Sequence, residues 1–336
     1  MQQLQKTERK EYIDIARGIA IILMVLGHLG LKNSLTQIIY SFHMPLFFFI
    51  AGMTISRKQK LHVYLNKRIT RLIVPYLLFA FIFSTPDFKA WIYILYGSRN
   101  SIRLAGSSTP LWFLPCLFCA DIIFQMVLRL HKNGGGTSKH ILIVTNTIIL
   151  AIVGMLLQKL DLTKELGLPF SFNVALLSLP FICCGWIIKE ISIIESKSRT
   201  CLNSIGLAAA LLVIVLYQFN LPESLTQGFN HIELSIGAIG NAPMFYLCAF
   251  AGSFAVISIS CSIKKCYILS QIGKSTLTCL GIHGVVIRIL RAAGSYFGWN
   301  IIAVGLLSLT AAVLFTLVLN PVLKRYIPNI IGLNKT

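Results

Sequence analysis

Residues 12–31, YIDIARGIAIILMVLGHLGL, decide how the rest of the chain is read. About 20 mostly apolar residues, at roughly 1.5 Å of rise each, match a hydrocarbon core about 30 Å thick, so the stretch predicts a membrane-spanning helix. It carries Asp14, Arg17 and His28 in spite of that environment. Arg17 and His28 lie close to three whole turns apart, so they share a face and stand roughly 16 Å apart along the axis. Asp14 falls within about 40° of the same face. An ionisable group inside a bilayer costs about 2.5 to 3.5 kcal/mol on insertion scales and usually faces a polar cavity, where it carries function.

Composition extends this reading to all 336 residues: 56% are hydrophobic, 12% are charged, and the mean hydropathy is +0.76. The expected fold is all-α, a polytopic membrane protein without a separate soluble domain. A formal charge of +19 suggests nucleic acid, but apolar runs separate the basic clusters, which then read as solvated loops beside a membrane. No nucleic-acid partner is expected; the bilayer itself is. Lys6, Arg9 and Lys10 before an apolar run resemble a signal peptide. The polar interruptions and the lack of a small-residue cleavage site keep the segment in the mature chain. Nine cysteines sit mostly in apolar segments, and the lone pair Cys116 and Cys119 reads as small packing residues, so no metal site is expected.

Hydropathy and turn residues predict about ten spans, near 12–31, 36–56, 69–85, 111–130, 141–158, 173–190, 203–219, 241–262, 275–292 and 300–320. With the N-terminus in the cytoplasm, the inner connections and termini hold 21 Lys and Arg against 8 on the other side. The positive-inside rule then places both termini in the cytoplasm. No internal repeat is visible.

The second span contains FHMPLFFFIAGM, residues 42–53, in which Pro45 removes a backbone donor and tends to kink the helix. His43 beside it reads either as a packing histidine or as an acceptor or cofactor contact. The connection RKQKLHVYLNKRITRLIVPY, residues 57–76, is dense in positive charge, including Lys67, Arg68 and Arg71. Such a run contacts anionic headgroups, or, since Arg68 and Arg71 are spaced i, i+3, points two guanidinium forks at a phosphate. The outer loop 86–110 and the following Trp112 and Phe113 form an aromatic boundary that also suits stacking on a sugar ring. Asp121 lies in the fourth span and needs a basic partner that the sequence does not identify. Gly134 to Gly136 read as a flexible loop. Glu223, His231 and Glu233 occupy a later outer loop that default solvent contact or an extracytoplasmic acceptor explains. Gly273-Lys274-Ser275 lacks the upstream glycine of a phosphate-binding loop, while His283 is a further intramembrane histidine, with Arg288 and Arg291 just beyond.

Together these pieces resemble the acyltransferase 3 family of integral membrane acyltransferases. Arg17 and His28 reproduce its Arg/Lys-x10-His motif, and Arg68 and Arg71 its Arg-x-x-Arg motif. The run FHMPLFFFIAGM, and GKSTL with His283, look like its sugar O-acetylating branch, of the fucose 4-O-acetylase kind. The resemblance covers most of the chain and implies one membrane domain, 1–336, in a bacterial inner membrane. It implies acetyl-CoA as acyl donor, held by Arg17, Lys67, Arg68 and Arg71. It implies His28 as catalytic base, assisted by Arg17 and Asp14. The acceptor would be a glycan or lipid-linked sugar such as an O-antigen, touched by His43, Trp112 and His283. The competing class is a proton-coupled transporter or flippase, in which intramembrane His, Arg and Asp relay protons or hold a charged substrate.

Overall fold

Backbone amides in a bilayer have no water to bond, so apolar runs of this length satisfy their donors and acceptors internally, as helices. In the computed structural model, which describes residues 2–29, 34–56, 59–132, 136–160, 165–220, 231–263 and 265–326, every extended regular element is a helix. A single isolated bridge, Glu233 to Ala238, is the one β-type pairing among them. Seven helices among the described residues are long and apolar enough to cross a membrane, and eight if the pair bent by 56° around Ser178 counts as one broken span. The fold class is thus all-α and polytopic. Within the expected segments 12–31 and 69–85, residues 12–27 and 69–82 are helical, but the first stretch carries charge and the second is interrupted by a π-helical turn, so length and apolarity alone support fewer than ten crossings among the described residues.

The described chain divides into two compact units. The first comprises 1–50, 188–233 and 238–320. It holds α1 (Gln2–Gly27), most of α2 (Ser34–Thr54) and the C-terminal helices described below. Two glycines bring α1 against its neighbour: a Cβ on Gly18 would stand 2.2 Å from the Leu269 carbonyl oxygen, and one on Gly273 1.8 Å from that of Asp14. Gly273, the first residue of the Gly-Lys-Ser triplet, is therefore a packing glycine. Ile15, Ala16, Ala20, Ile21, Met24 and Val25 bury the rest of this helix. Pro45 sits inside α2 without ending it.

The second unit comprises 51–187, 234–237 and 321–336. Here α3 (Leu61–Arg68) runs through a π-helical turn, Ile69–Ile73, into α4 (Val74–Ile82). The Tyr76 hydroxyl donates to the Ile94 carbonyl at 2.6 Å, pinning α4 to α5 (Phe88–Tyr96). A Ser98/Ser101 capping box opens α6 (Arg99–Leu104). The central helix α7 (Phe113–Leu130) has most of its residues buried and ties down the preceding chain: Gln125 Nε2 donates to the Ser56 carbonyl and an Arg129 nitrogen to that of Gln59. Cys116 in α7 points its thiol at the Ser171 carbonyl, consistent with a packing role. Around it lie α8 (Gly136–Lys159), α9 (Phe172–Leu177) and α10 (Leu179–Glu190), with Gly52 abutting the Ile182 carbonyl and Gly154 that of Asn173.

The first unit continues with the short α11 (Ile193–Ser196) and with α12 (Arg199–Leu216), which packs on α13 (Ala242–Ser262) where Gly206 meets Ser258. Then come α14 (Tyr267–Lys274), α15 (Thr276–Phe297) and α16 (Ile301–Tyr326). Asn320 joins α16 to α15 inside this unit by donating to Ser275 Oγ and accepting from Thr278 Oγ1.

Candidate active site

The helix α1 ends sooner than hydropathy predicts, at Gly27, and His28 stands at its C-terminal end rather than inside a continuing span. The His28 amide donates to the Met24 and Val25 carbonyls, both at 3.1 Å. Its Nδ1 lies 2.7 Å from the Met24 carbonyl oxygen. A carbonyl only accepts, so Nδ1 carries the hydrogen and the neutral ring keeps its lone pair on Nε2.

Other histidines gather around that ring. A Cβ on Gly27 would come within 3.0 Å of the Tyr40 ring, so glycine there lets α2 close in. Tyr40 stands 6.0 Å from His28 between ring centres, and His43, one turn along α2, stands 6.4 Å away. From α15, His283 meets His28 edge-on at 5.2 Å. His231 lies 3.9 Å from Tyr40, with its Nε2 3.7 Å from the Glu233 carboxylate. The Glu233 charge acts electrostatically on His28 and His43.

His43 and His283 repeat the tautomer of His28. Nδ1 of His43 bonds the Ile39 carbonyl at 2.9 Å, and Nδ1 of His283 bonds the Cys279 and Leu280 carbonyls at 2.9 and 3.1 Å. Both rings are buried, and neither Nε2 has a hydrogen-bond partner among the described residues. A buried acceptor left unpaired costs about 1 to 3 kcal/mol, and such sites call for a ligand or water that donates. Lone-pair nitrogens near one another suit a molecule that offers several hydroxyl groups.

Midway along α1, Asp14 pairs with Arg17 at 3.2 Å, so the acid expected to assist the chemistry holds the arginine of its own helix. Arg17 remains about one third exposed. The same bond offsets part of its charge. Arg291 of α15 donates from Nη2 to the His28 carbonyl at 2.8 Å, placing a cation on the C-terminal end of α1, where the helix dipole favours it.

In the second unit the basic motif divides its labour. Arg68 turns inward: its Nε pairs with Asp121, which is 1% exposed, and its Nη2 donates to the Tyr64 hydroxyl at 3.0 Å. This supplies the partner that Asp121 needed. Burial, and next the Asp121 carboxylate, push the Tyr64 hydroxyl pKa up, so it stays protonated. Arg71 lies in the π-turn and is exposed, as is Lys67. The i, i+3 spacing predicts a shared direction, but the widened turn between them gives the two arginines different surroundings. Trp112 closes a 3-10 turn, Thr109–Trp112, and is 5% exposed with its ring edge-on to Phe113, so it offers little surface for stacking.

Sequence reading overlooked Tyr40 and did not connect His231, Glu233 or Arg291 with His28. Tyr40 carries a usable signal, since it precedes His43 by three residues on one helix and so shares its face. The approach of Arg291 to His28 bridges residues 263 apart in sequence, which no local pattern reports.

Comparison with known proteins agrees with the motif reading. The acyltransferase 3 profile, described as an acyltransferase domain, matches residues 10–323. The nodulation protein NolL of Sinorhizobium fredii (strain NBRC 101917 / NGR234) is 24% identical over 309 residues, which cover 82% of this chain and 77% of that protein. No solved structure matches. With its apolar helices and a family match along nearly its whole length, the chain belongs to the acyltransferase 3 family and is a multi-pass membrane acyltransferase.

Proposed function

We propose that this enzyme moves an acetyl group from acetyl-CoA to a hydroxyl of a cell-surface or lipid-linked glycan, in the inner membrane of a bacterium, with His28 as general base. The observation that carries the reading is the tautomer of His28: the bond from Nδ1 to Met24 leaves the Nε2 lone pair available to take a proton. A neutral imidazole whose lone pair points away from its backbone bond can take a hydroxyl proton as a general base. The neighbouring acceptors on His43 and His283 support a polyhydroxylated acceptor over one without hydrogen-bond donors.

In the proposed reaction a sugar hydroxyl gives its proton to His28 Nε2 as its oxygen attacks the acetyl carbonyl. The tetrahedral intermediate collapses by breaking the carbon–sulfur bond. The proton then passes from the imidazolium to the departing CoA thiolate, which restores neutral His28. Within the second unit, Arg71 and Lys67, exposed and cationic, suit phosphate groups such as the donor carries, and Arg68 adds only the part of its fork that Asp121 and Tyr64 leave uncommitted; Arg17 of the first unit has the same chemistry.

The test uses purified protein in lipid nanodiscs, acetyl-CoA labelled in the acetyl group, and unacetylated surface polysaccharide isolated from a host strain lacking this gene. Ester-linked acetyl on the polysaccharide by NMR, present with wild type and lost with His28→Ala at equal membrane content, is the expected result. Ester formation by His28→Ala at the wild-type rate refutes the base assignment; no ester with wild type refutes the acceptor.

A further inference from the structure

A cavity of about 290 Å³ opens at the joint between α15 and α16. Its lining includes Leu29, Arg291, Ser295, Trp299, Val304 and Ser308. The volume is at the lower limit of small-molecule sites, about 300 Å³, and suits one ring rather than a long chain.

The local sequence builds this cavity deliberately. Gly298 adopts φ 67° and ends α15, and the Trp299 amide then donates to the Gly294 carbonyl at 2.8 Å, which folds Trp299 back over the helix end. A Cβ on Gly294 would stand 2.4 Å from Val304, so glycine there lets the two helices meet beneath the tryptophan. The α16 residues Val304, Gly305 and Ser308 follow helical spacing and form one wall. Trp299 differs from its aromatic neighbours: it is 42% exposed, against 85% for Tyr296 and 64% for Phe297, which read as an interfacial belt. Its ring lies nearly parallel to Phe297, at 5.7 Å, and is held there.

Polar groups complete the site. Ser308 is fully buried, and its hydroxyl has no hydrogen-bond partner among the described residues. Arg291 spends one nitrogen on the His28 carbonyl, and the guanidinium has four more N–H donors. Leu29 follows His28 directly in the chain, so the cavity adjoins the end of α1 that presents the reactive ring.

We propose that this cavity is the acceptor subsite and holds one sugar ring of the glycan, with Trp299 against the ring's apolar face and Arg291 and Ser295 on its oxygens. The proposal rests on the glycan-acceptor reading given above. An indole beside a fork of donors and a hydroxyl is the combination that a carbohydrate needs: an apolar face to cover and vicinal oxygens to bond. Because Arg291 also anchors the His28 backbone, a sugar bound here is positioned against the end of α1.

The decisive measurement is steady-state acetyl transfer in nanodiscs to the unacetylated polysaccharide, with KM for polysaccharide and for acetyl-CoA determined separately. Trp299→Ala is expected to raise the polysaccharide KM at least tenfold, with the acetyl-CoA KM unchanged. Trp299→Phe, which keeps a ring, should recover most of that loss, and Tyr296→Ala, an exposed aromatic outside the cavity, should behave as wild type. Arg291→Lys should raise the polysaccharide KM and also lower kcat, because it disturbs the His28 anchor. A polysaccharide KM within twofold of wild type in Trp299→Ala, or a fall in kcat alone, overturns the subsite while leaving the acceptor class intact. Absence of transfer to polysaccharide by wild type overturns the glycan reading instead, and the subsite with it.

Discussion

Replacing Arg68 by alanine is the natural test of phosphate binding by the basic motif, and the structure predicts that this change acts on folding as well. Arg68 pairs with Asp121, which is 1% exposed in the core of the second unit. Removing one member of a buried pair typically costs about 3 to 5 kcal/mol, because the other charge is left uncompensated. A carboxylate has an escape in taking up a proton, and for an acid of ordinary pKa, about 3.9, that costs roughly 4 kcal/mol at pH 7. The loss in Arg68→Ala is therefore capped near 4 kcal/mol and should shrink by about 1.4 kcal/mol for each pH unit lowered while that escape is in use. Replacing the pair together, as Arg68→Met with Asp121→Leu, removes both charges and should return stability to within about 1 to 2 kcal/mol of wild type. Reversible unfolding in mixed detergent and SDS micelles, followed by tryptophan fluorescence, measures these differences, and donor KM is measured on the same proteins. The stable double variant isolates the binding role: a raised acetyl-CoA KM in it assigns Arg68 to the donor. A loss below about 1 kcal/mol in Arg68→Ala, or a double variant as unstable as the sum of the single ones, refutes the reasoning.

His28→Gln, which keeps polarity without a proton-accepting nitrogen, should lower kcat by about 10²- to 10⁴-fold with donor KM retained, as measured by labelled acetyl transfer. Glu233→Gln removes the carboxylate 3.7 Å from His231 and should lower kcat by about tenfold or less, since that charge acts on His28 from a distance. Gly273→Ala would drive a Cβ to 1.8 Å from the Asp14 carbonyl oxygen, so α1 and α14 must separate. A loss of about 1 to 3 kcal/mol or more is expected, visible as earlier labelling of buried Cys279 by a thiol reagent on heating.

The all-α membrane architecture was legible in the chain because hydropathy is a local property: a run of apolar residues meets the bilayer's demand wherever it lies. The same holds for the placement of Arg17 and His28 along one helix, which needs only a rise of about 1.5 Å per residue. Three features lay beyond such reasoning. The end of α1 at Gly27 rather than Leu31 depends on contacts of the histidine with the preceding turn and on the approach of Tyr40 across Gly27. The inward turn of Arg68 depends on Asp121, 53 positions away in sequence, and on the π-turn that separates the surroundings of Arg68 and Arg71. The gathering of His28, His43, His231 and His283 depends on helix packing that brings distant segments together, since glycine contacts and side-chain volumes set it and periodicity does not. The sequence alone therefore determined which residues are chemically able to act and that they lie in a membrane. Only the tertiary structure decided which of them share a site, because that choice is made by packing between helices and not by the order of residues within one.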